Sequence, residues 1–144
     1  MIRFASAAAA LLLTAAPALA QSADSKVVLT FETGARTGMV MVALYDSAAT
    51  FNASGAGDRA VARTAISASS GRVVAAFDNL LAGDYAVKAF HDVDGDGRMN
   101  TNPFGMPTEP YAFSNDARGN MGPARWDAAQ FAVSGATAQT ISIR

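Results

Sequence analysis

In "KVVLTFE" (residues 26–32), Val27, Leu29 and Phe31 stand at every second position, and short apolar stretches of this kind recur along the chain. A repeat of two sends successive side chains to opposite faces of an extended backbone, so such a segment has an apolar face that another sheet must cover. "RVVAAFD" (72–78) places Val73, Ala75 and Phe77 on one face in the same way, and "DYAVKAFHD" (84–92) follows after "NLLAG". "MVMVALYD" (39–46) is apolar on both faces, as a strand in the middle of a covered sheet should be. "VARTAIS" (61–67) is a weaker strand, while "SAATFNASGAGDRA" before it reads as a long loop with a short helix around Ser47–Phe51. "AQFAVS" and "QTISIR" predict a hairpin about Gly135, with Phe131 and Val133 facing Ile141 and Ile143. Seven short strands and no long helical period predict an all-β chain, a single antiparallel β-sandwich of the transthyretin-like or immunoglobulin-like kind.

One local pattern supports that class. Leu80, Gly83, Tyr85 and Val87 reproduce the Leu-x-x-Gly-x-Tyr-x-Val run of transthyretin-like and fibronectin-like sandwiches. It predicts a tight turn at Gly83 and a tyrosine corner, with the Tyr85 hydroxyl returning to the turn's backbone.

The first twenty residues read as a cleavable export signal: Arg3, then the uncharged run "ASAAAALLLTAAPA", then "ALA" before Gln21. Cleavage is expected after Ala20, leaving residues 21–144 as one periplasmic or secreted domain with no further membrane span. That domain carries ten basic and twelve acidic side chains, without a basic run, so it has no electrostatic footprint for nucleic acid. Cysteine is absent, which excludes disulfides, thiol catalysis and thiolate zinc sites. A single histidine, His91, excludes multi-histidine metal centres.

From 92 to 127 neither period survives, and Pro103, Pro107, Pro110 and Pro123 interrupt the chain. A loop this long in a small domain is usually functional or tied down. Phe104, Met106, Tyr111, Phe113, Met121 and Trp126 supply apolar area, so the expectation is an ordered cap whose apolar residues pack on the sandwich.

The cap opens on "HDVDGDGRMN". Asp92, Asp94 and Asp96 alternate and Gly97 follows, the spacing that wraps carboxylate oxygens around a hard cation. On an EF-hand template the Arg98 carbonyl takes position seven and Asn100 position nine, but position twelve is Pro103 where a bidentate Glu belongs. Asn102 and Glu109 are the candidates for the missing oxygen. Calcium suits so dense a set of loop oxygens better than magnesium does. The competing reading is a solvated turn, because Asp-Gly pairs form turns unaided. Chemistry through His91, Asp92 and Glu109 defines a third reading, a hydrolase; no nucleophile motif accompanies them. Arg118 reads as a loop-locking ion pair or an anion contact.

The ordered set His91-Asp92-x-Asp94-x-Asp96-Gly97, then Gly105-Met106-Pro107-x-Glu109, then Phe113-Ser114-Asn115 resembles the DUF2141 family of exported bacterial proteins. The resemblance spans essentially the whole chain after residue 20 and implies an exported β-sandwich without an assigned reaction or metal. Pro103 departs from it, at a position where a longer apolar or aromatic residue fits the pattern. The combined expectation is a non-enzymatic module whose Asp92–Asn102 loop holds Ca2+ through Asp92, Asp94, Asp96, Arg98 and Asn100. The ordered cap would then present a surface to a cell-envelope protein or glycan.

Overall fold

The alternating segments pair into two sheets. The computed structural model describes residues 23–144, so the export signal expected over the first twenty residues lies outside the described residues. The strands are β1 (Ser25–Glu32), β2 (Met39–Tyr45), β3 (Ala62–Ser67), β4 (Arg72–Leu80), β5 (Gly83–Asp92), β6 (Tyr111–Phe113), β7 (Phe131–Val133) and β8 (Ala136–Ser142). Two one-turn helices accompany them, α1 (Ala48–Phe51), capped by the Ser47 hydroxyl, and α2 (Trp126–Ala129). One sheet runs β4-β1-β8; the other runs β3-β2-β5-β6, with β7 pairing the start of β5. The expected β-sandwich is present, and the short helix at Ser47–Phe51 with it.

Two expectations about pairing need correction. Strands β7 and β8 are joined at Gly135 but do not form a hairpin: β7 pairs β5 in one sheet and β8 pairs β1 in the other. The chain therefore crosses between sheets at Gly135. The β1–β8 pairing is also parallel, so the sandwich is antiparallel except along that seam. The side-chain pattern nevertheless held, because Val133, Ile141 and Ile143 all enter the core, from opposite sheets rather than neighbouring strands.

The main core lies between the sheets. Val27, Leu29 and Phe31 from β1 meet Val40, Val42 and Leu44 from β2, with Val73, Ala75 and Phe77 from β4 and Tyr85 and Val87 from β5. Each such fully buried large side chain contributes about 1.5–3 kcal/mol relative to exposure. A second, smaller core covers the outer face of β2 and β5. There Tyr45, Phe51, Phe113 and Trp126 pack edge to face around Ala43, Ala86 and Ala129. Strand β2 is thus buried on both sides from Val42 to Tyr45, as its unbroken apolar sequence predicts, while Met39 and Met41 are half-buried.

At the β4–β5 corner the Tyr85 hydroxyl donates to the Leu81 carbonyl at 2.9 Å, the predicted tyrosine corner. The residue that bends this corner is Asn79, at φ 57, rather than Gly83, which begins β5 without a left-handed backbone. Strand β4 spends one extra residue there against β1, a bulge whose unpaired position suits Asn.

The cap from 92 to 127 contains more regular structure than its sequence suggests: β6, a 3-10 turn at Ser114–Asp116 and the start of α2. Its apolar residues divide. Phe113 and Trp126 are buried, but Phe104, Met106, Tyr111 and Met121 face outward. The expectation that all of them pack on the sandwich is therefore wrong for four.

Candidate functional site

The acidic loop grows out of the end of β5, the central strand of the larger sheet. Antiparallel pairing with β2 sets Val40 opposite His91 and Met39 opposite Asp92. His91 consequently points inward, with no exposed surface, and its Nε2 lies 3.0 Å from the Thr37 carbonyl oxygen. A carbonyl only accepts, so Nε2 carries the hydrogen. Nδ1 has no hydrogen-bond partner among the described residues. The ring fastens the β1–β2 turn beneath the loop. Gly38 in that turn has φ 121, and a Cβ there would lie 2.3 Å from the Asp92 carbonyl oxygen, so only glycine lets the two backbones meet.

Asp92 is the keystone of the loop. It is buried, its Oδ1 accepting from the Gly95 amide at 2.7 Å and its Oδ2 from the Gly97 amide at 2.9 Å. Gly97 adopts φ 76 to turn its N–H inward. Asp94 and Asp96 are exposed. Asp94 accepts from the Asp96 amide (3.1 Å) and from Asn100 Nδ2 (2.6 Å), and Asp96 accepts from the Arg98 amide (2.7 Å). One carboxylate oxygen from each of Asp92, Asp94 and Asp96 lies within 4.8 Å of the others.

Glu109 holds the loop from below. Pairing of Phe90 with Tyr111, extended by the His91 amide donating to the Pro110 carbonyl, carries Glu109 to the foot of the loop. There its Oε1 accepts from the Val93 amide at 2.8 Å and its Oε2 from the Asn100 amide at 3.1 Å. One carboxylate thus closes both ends of the aspartate loop. Asn102 works inside the next turn, its Oδ1 accepting from the Phe104 and Met106 amides. Of the two oxygens considered for the twelfth position, both are engaged with backbone amides. His91, Asp92 and Glu109 are neighbours along the strand pair, but all three are buried and turned to structural partners.

A second group escaped sequence reasoning because its members are far apart along the chain. Asp58 accepts from Lys88 Nζ (2.7 Å), the Tyr45 hydroxyl (2.5 Å) and Arg63 (3.4 Å). Lys88 Nζ also sits over the Tyr45 and Phe51 rings, 4.7 and 5.1 Å from their centres. Burial pushes the Asp58 carboxyl up, but the bonds from Lys88 and Tyr45 and the nearby charges outweigh it and hold it below the ordinary carboxylate value. Burial, followed by the bond to Asp58, pushes the Tyr45 phenol well above its ordinary value. Nothing in the spacing of these residues signals the cluster.

The Phe113-Ser114-Asn115 segment is also a hydrogen-bond knot. Ser114 Oγ, fully buried, accepts from the Val87 amide and donates to the Ala129 carbonyl. Asn115, at φ 61, donates to the Ala128 and Gln130 carbonyls and exchanges bonds with Gln139.

Together the elements define a β-sandwich whose larger sheet ends in an acidic loop that Glu109 clamps at its foot. Residues 32–142 match the model of the family DUF2141, described as "Uncharacterized protein conserved in bacteria", and the chain belongs to that family. No curated protein and no solved structure matches it.

Proposed function

We propose that this chain is an exported, non-enzymatic β-sandwich module in which the Asp92–Asn102 loop takes Ca2+ and thereby stiffens the cap as a binding surface for an envelope component. The observation that carries the reading is the clustering of the Asp92, Asp94 and Asp96 oxygens within 4.8 Å of one another. Ligand distances of 2.3–2.6 Å put oxygens on opposite sides of a calcium ion about 5 Å apart, so this set fits around one ion. Each of these carboxylates has oxygen lone pairs beyond those its amide donors use. Asp92, Asp94 and Asp96 would supply charge, the Arg98 carbonyl a neutral oxygen, and Asn100 a weak or water-mediated contact. No helix among the described residues is long and apolar enough to cross a membrane, in keeping with a module that works beside one.

A hydrolase built on His91, Asp92 and Glu109 fits the geometry less well. A general base must reach a substrate proton, and the His91 ring has no exposed surface and is committed to Thr37.

The test is thermal unfolding of the full chain in excess Ca2+ and in chelator. A ligand that binds only the folded state adds about 2.7 kcal/mol at a hundred times its Kd, enough to raise Tm by several degrees. Asp94→Ala, an exposed substitution, should abolish most of that rise. Equal melting in both buffers, unchanged by Asp94→Ala, would remove calcium from the reading.

A further inference from the structure

Phe104, Met106 and Met121 are 90, 64 and 101 % exposed, the highest values of any large apolar side chains among the described residues. They are not scattered. With Met99 and Tyr111 they line one groove of about 840 Å3 over the outer surface of β5 and β6. That volume falls in the roughly 300–1,000 Å3 range of small-molecule sites. Contiguous exposed apolar surface of this kind marks a place where something binds. Three of the wall residues are methionines, whose unbranched, polarizable side chains adapt to a flexible apolar partner without demanding directional bonds.

The groove does not end in apolar surface. Tyr111, Ala112, Phe113 and Gly119 are shared with an adjoining cavity of about 190 Å3 whose wall contains Arg118 and Arg144. Neither arginine forms an ion pair among the described residues, and residues 1–22 contain no Asp or Glu to supply one. The same wall also holds one carboxylate, that of Asp116, whose Oδ1 is occupied by the Ser142 amide. Two guanidinium groups against one carboxylate leave this wall net positive, and beside an apolar trough they complement a molecule with an apolar tail and an anionic head.

We infer that the cap groove binds a single-chain anionic amphiphile, a free long-chain carboxylate, with its acyl chain along Met99, Phe104, Met106 and Met121 and its carboxylate at Arg118 and Arg144. A glycan would demand a dense set of hydrogen-bond partners, which the methionine-lined groove lacks. The inference rests on the reading of the cap as a binding surface, but it does not require the ion.

Isothermal titration of the full chain with dodecanoate below its micellar concentration tests it. One molecule should bind per chain. Dodecyltrimethylammonium, with the same tail and the opposite charge, should bind at least tenfold more weakly, and so should hexanoate. Met106→Asp combined with Met121→Asp should weaken dodecanoate at least tenfold, and Arg118→Ala several-fold, both with unchanged melting because these side chains are exposed. Equal affinity for the two head groups, or affinity indifferent to both variants, overturns the inference. So does a dimer in sedimentation velocity that the double methionine variant dissolves, which would make the groove a contact between copies. Running the titration in chelator, where no calcium soap can form, separates the two proposals. Binding there leaves the amphiphile site standing and the ion without a role in it. Absence of binding alongside a calcium-dependent Tm overturns the amphiphile site alone.

Discussion

Glu109 and Ser114 each hold two backbone groups that belong to different segments of the chain. Glu109 accepts from the Val93 and Asn100 amides, and in Glu109→Gln one of its oxygens becomes an NH2 that would face a backbone N–H. One bond is lost and two donors are opposed, so the variant should lose about 1–3 kcal/mol, the cost of a buried polar group left unmet. Chemical denaturation measures that loss, and hydrogen exchange at Val93 and Asn100 should accelerate with it. Unchanged exchange there would show that the loop closes without Glu109. Ser114→Ala leaves the Val87 amide and the Ala129 carbonyl without their partner in a fully buried setting. Its expected cost is about 2–4 kcal/mol by the same reasoning, read as a lower denaturation midpoint with an unchanged m-value. The aspartates were legible as a cluster because their spacing is local. The role of Glu109 was not, because a carboxylate seventeen residues along looks the same whether it meets a cation or two amides. Only the β5–β6 register decides.

At the scale of elements, the legible parts were those whose partners do not matter to the pattern. Strands β1, β2, β4 and β5 declare themselves by alternation or by an unbroken apolar run, whatever they pair with. The β7–β8 connection was misread because "SG" at 134–135 serves equally well for a hairpin turn and for a crossing between sheets. Choosing between them requires knowing that β1 offers β8 a parallel edge and that β5 offers β7 an antiparallel one, contacts more than forty residues away. The apolar cap residues misled for a related reason: side-chain hydrophobicity alone does not fix burial, because a folded surface keeps many apolar groups. The β1–β2 turn offers a sharp test of how elements support the loop. Gly38→Ala sets a methyl 2.3 Å from the Asp92 carbonyl oxygen at a φ of 121, so the turn or the loop root must move. A loss of about 2–4 kcal/mol is expected, because strain and a displaced backbone combine. If the Asp92 loop is the part that moves, the calcium-dependent rise in Tm should shrink as well. Full wild-type stability would show that the contact relaxes freely.

For the molecule as a whole, the Asp58–Lys88–Tyr45 cluster ties the loop after α1 to β2 and β5, and it couples folding to pH at both extremes. Asp58 has a folded pKa below its ordinary value of 3.8, so over that interval the unfolded chain binds more protons than the folded one. Its contribution is present above the unfolded value and disappears as pH falls through the folded one. Tyr45 has the opposite sign. Its folded pKa lies above the ordinary 10.0, raised by burial and then by the bond to Asp58, so the unfolded chain releases its proton first. That contribution is complete below pH 10.0 and is lost as pH climbs toward the folded value. Tyr85 is raised as well, by burial and by repulsion from Asp46, and adds to the alkaline limb. Tyr45→Phe keeps the ring against Phe51 and removes only the hydroxyl. At neutral pH it should cost about 1.5–3 kcal/mol for the lost hydrogen bond to the charged Asp58 carboxylate. Above pH 10 the same substitution should flatten the decline, so that the denaturation free energies of wild type and variant converge as pH rises. Unfolding curves at pH 7, 9, 10 and 11 read this directly, with Tyr85→Phe as the control that leaves the Tyr45 limb in place. Parallel alkaline limbs for wild type and Tyr45→Phe would mean that the phenol titrates alike in both states, and the cluster would then be a packing contact rather than a coupled ionic one.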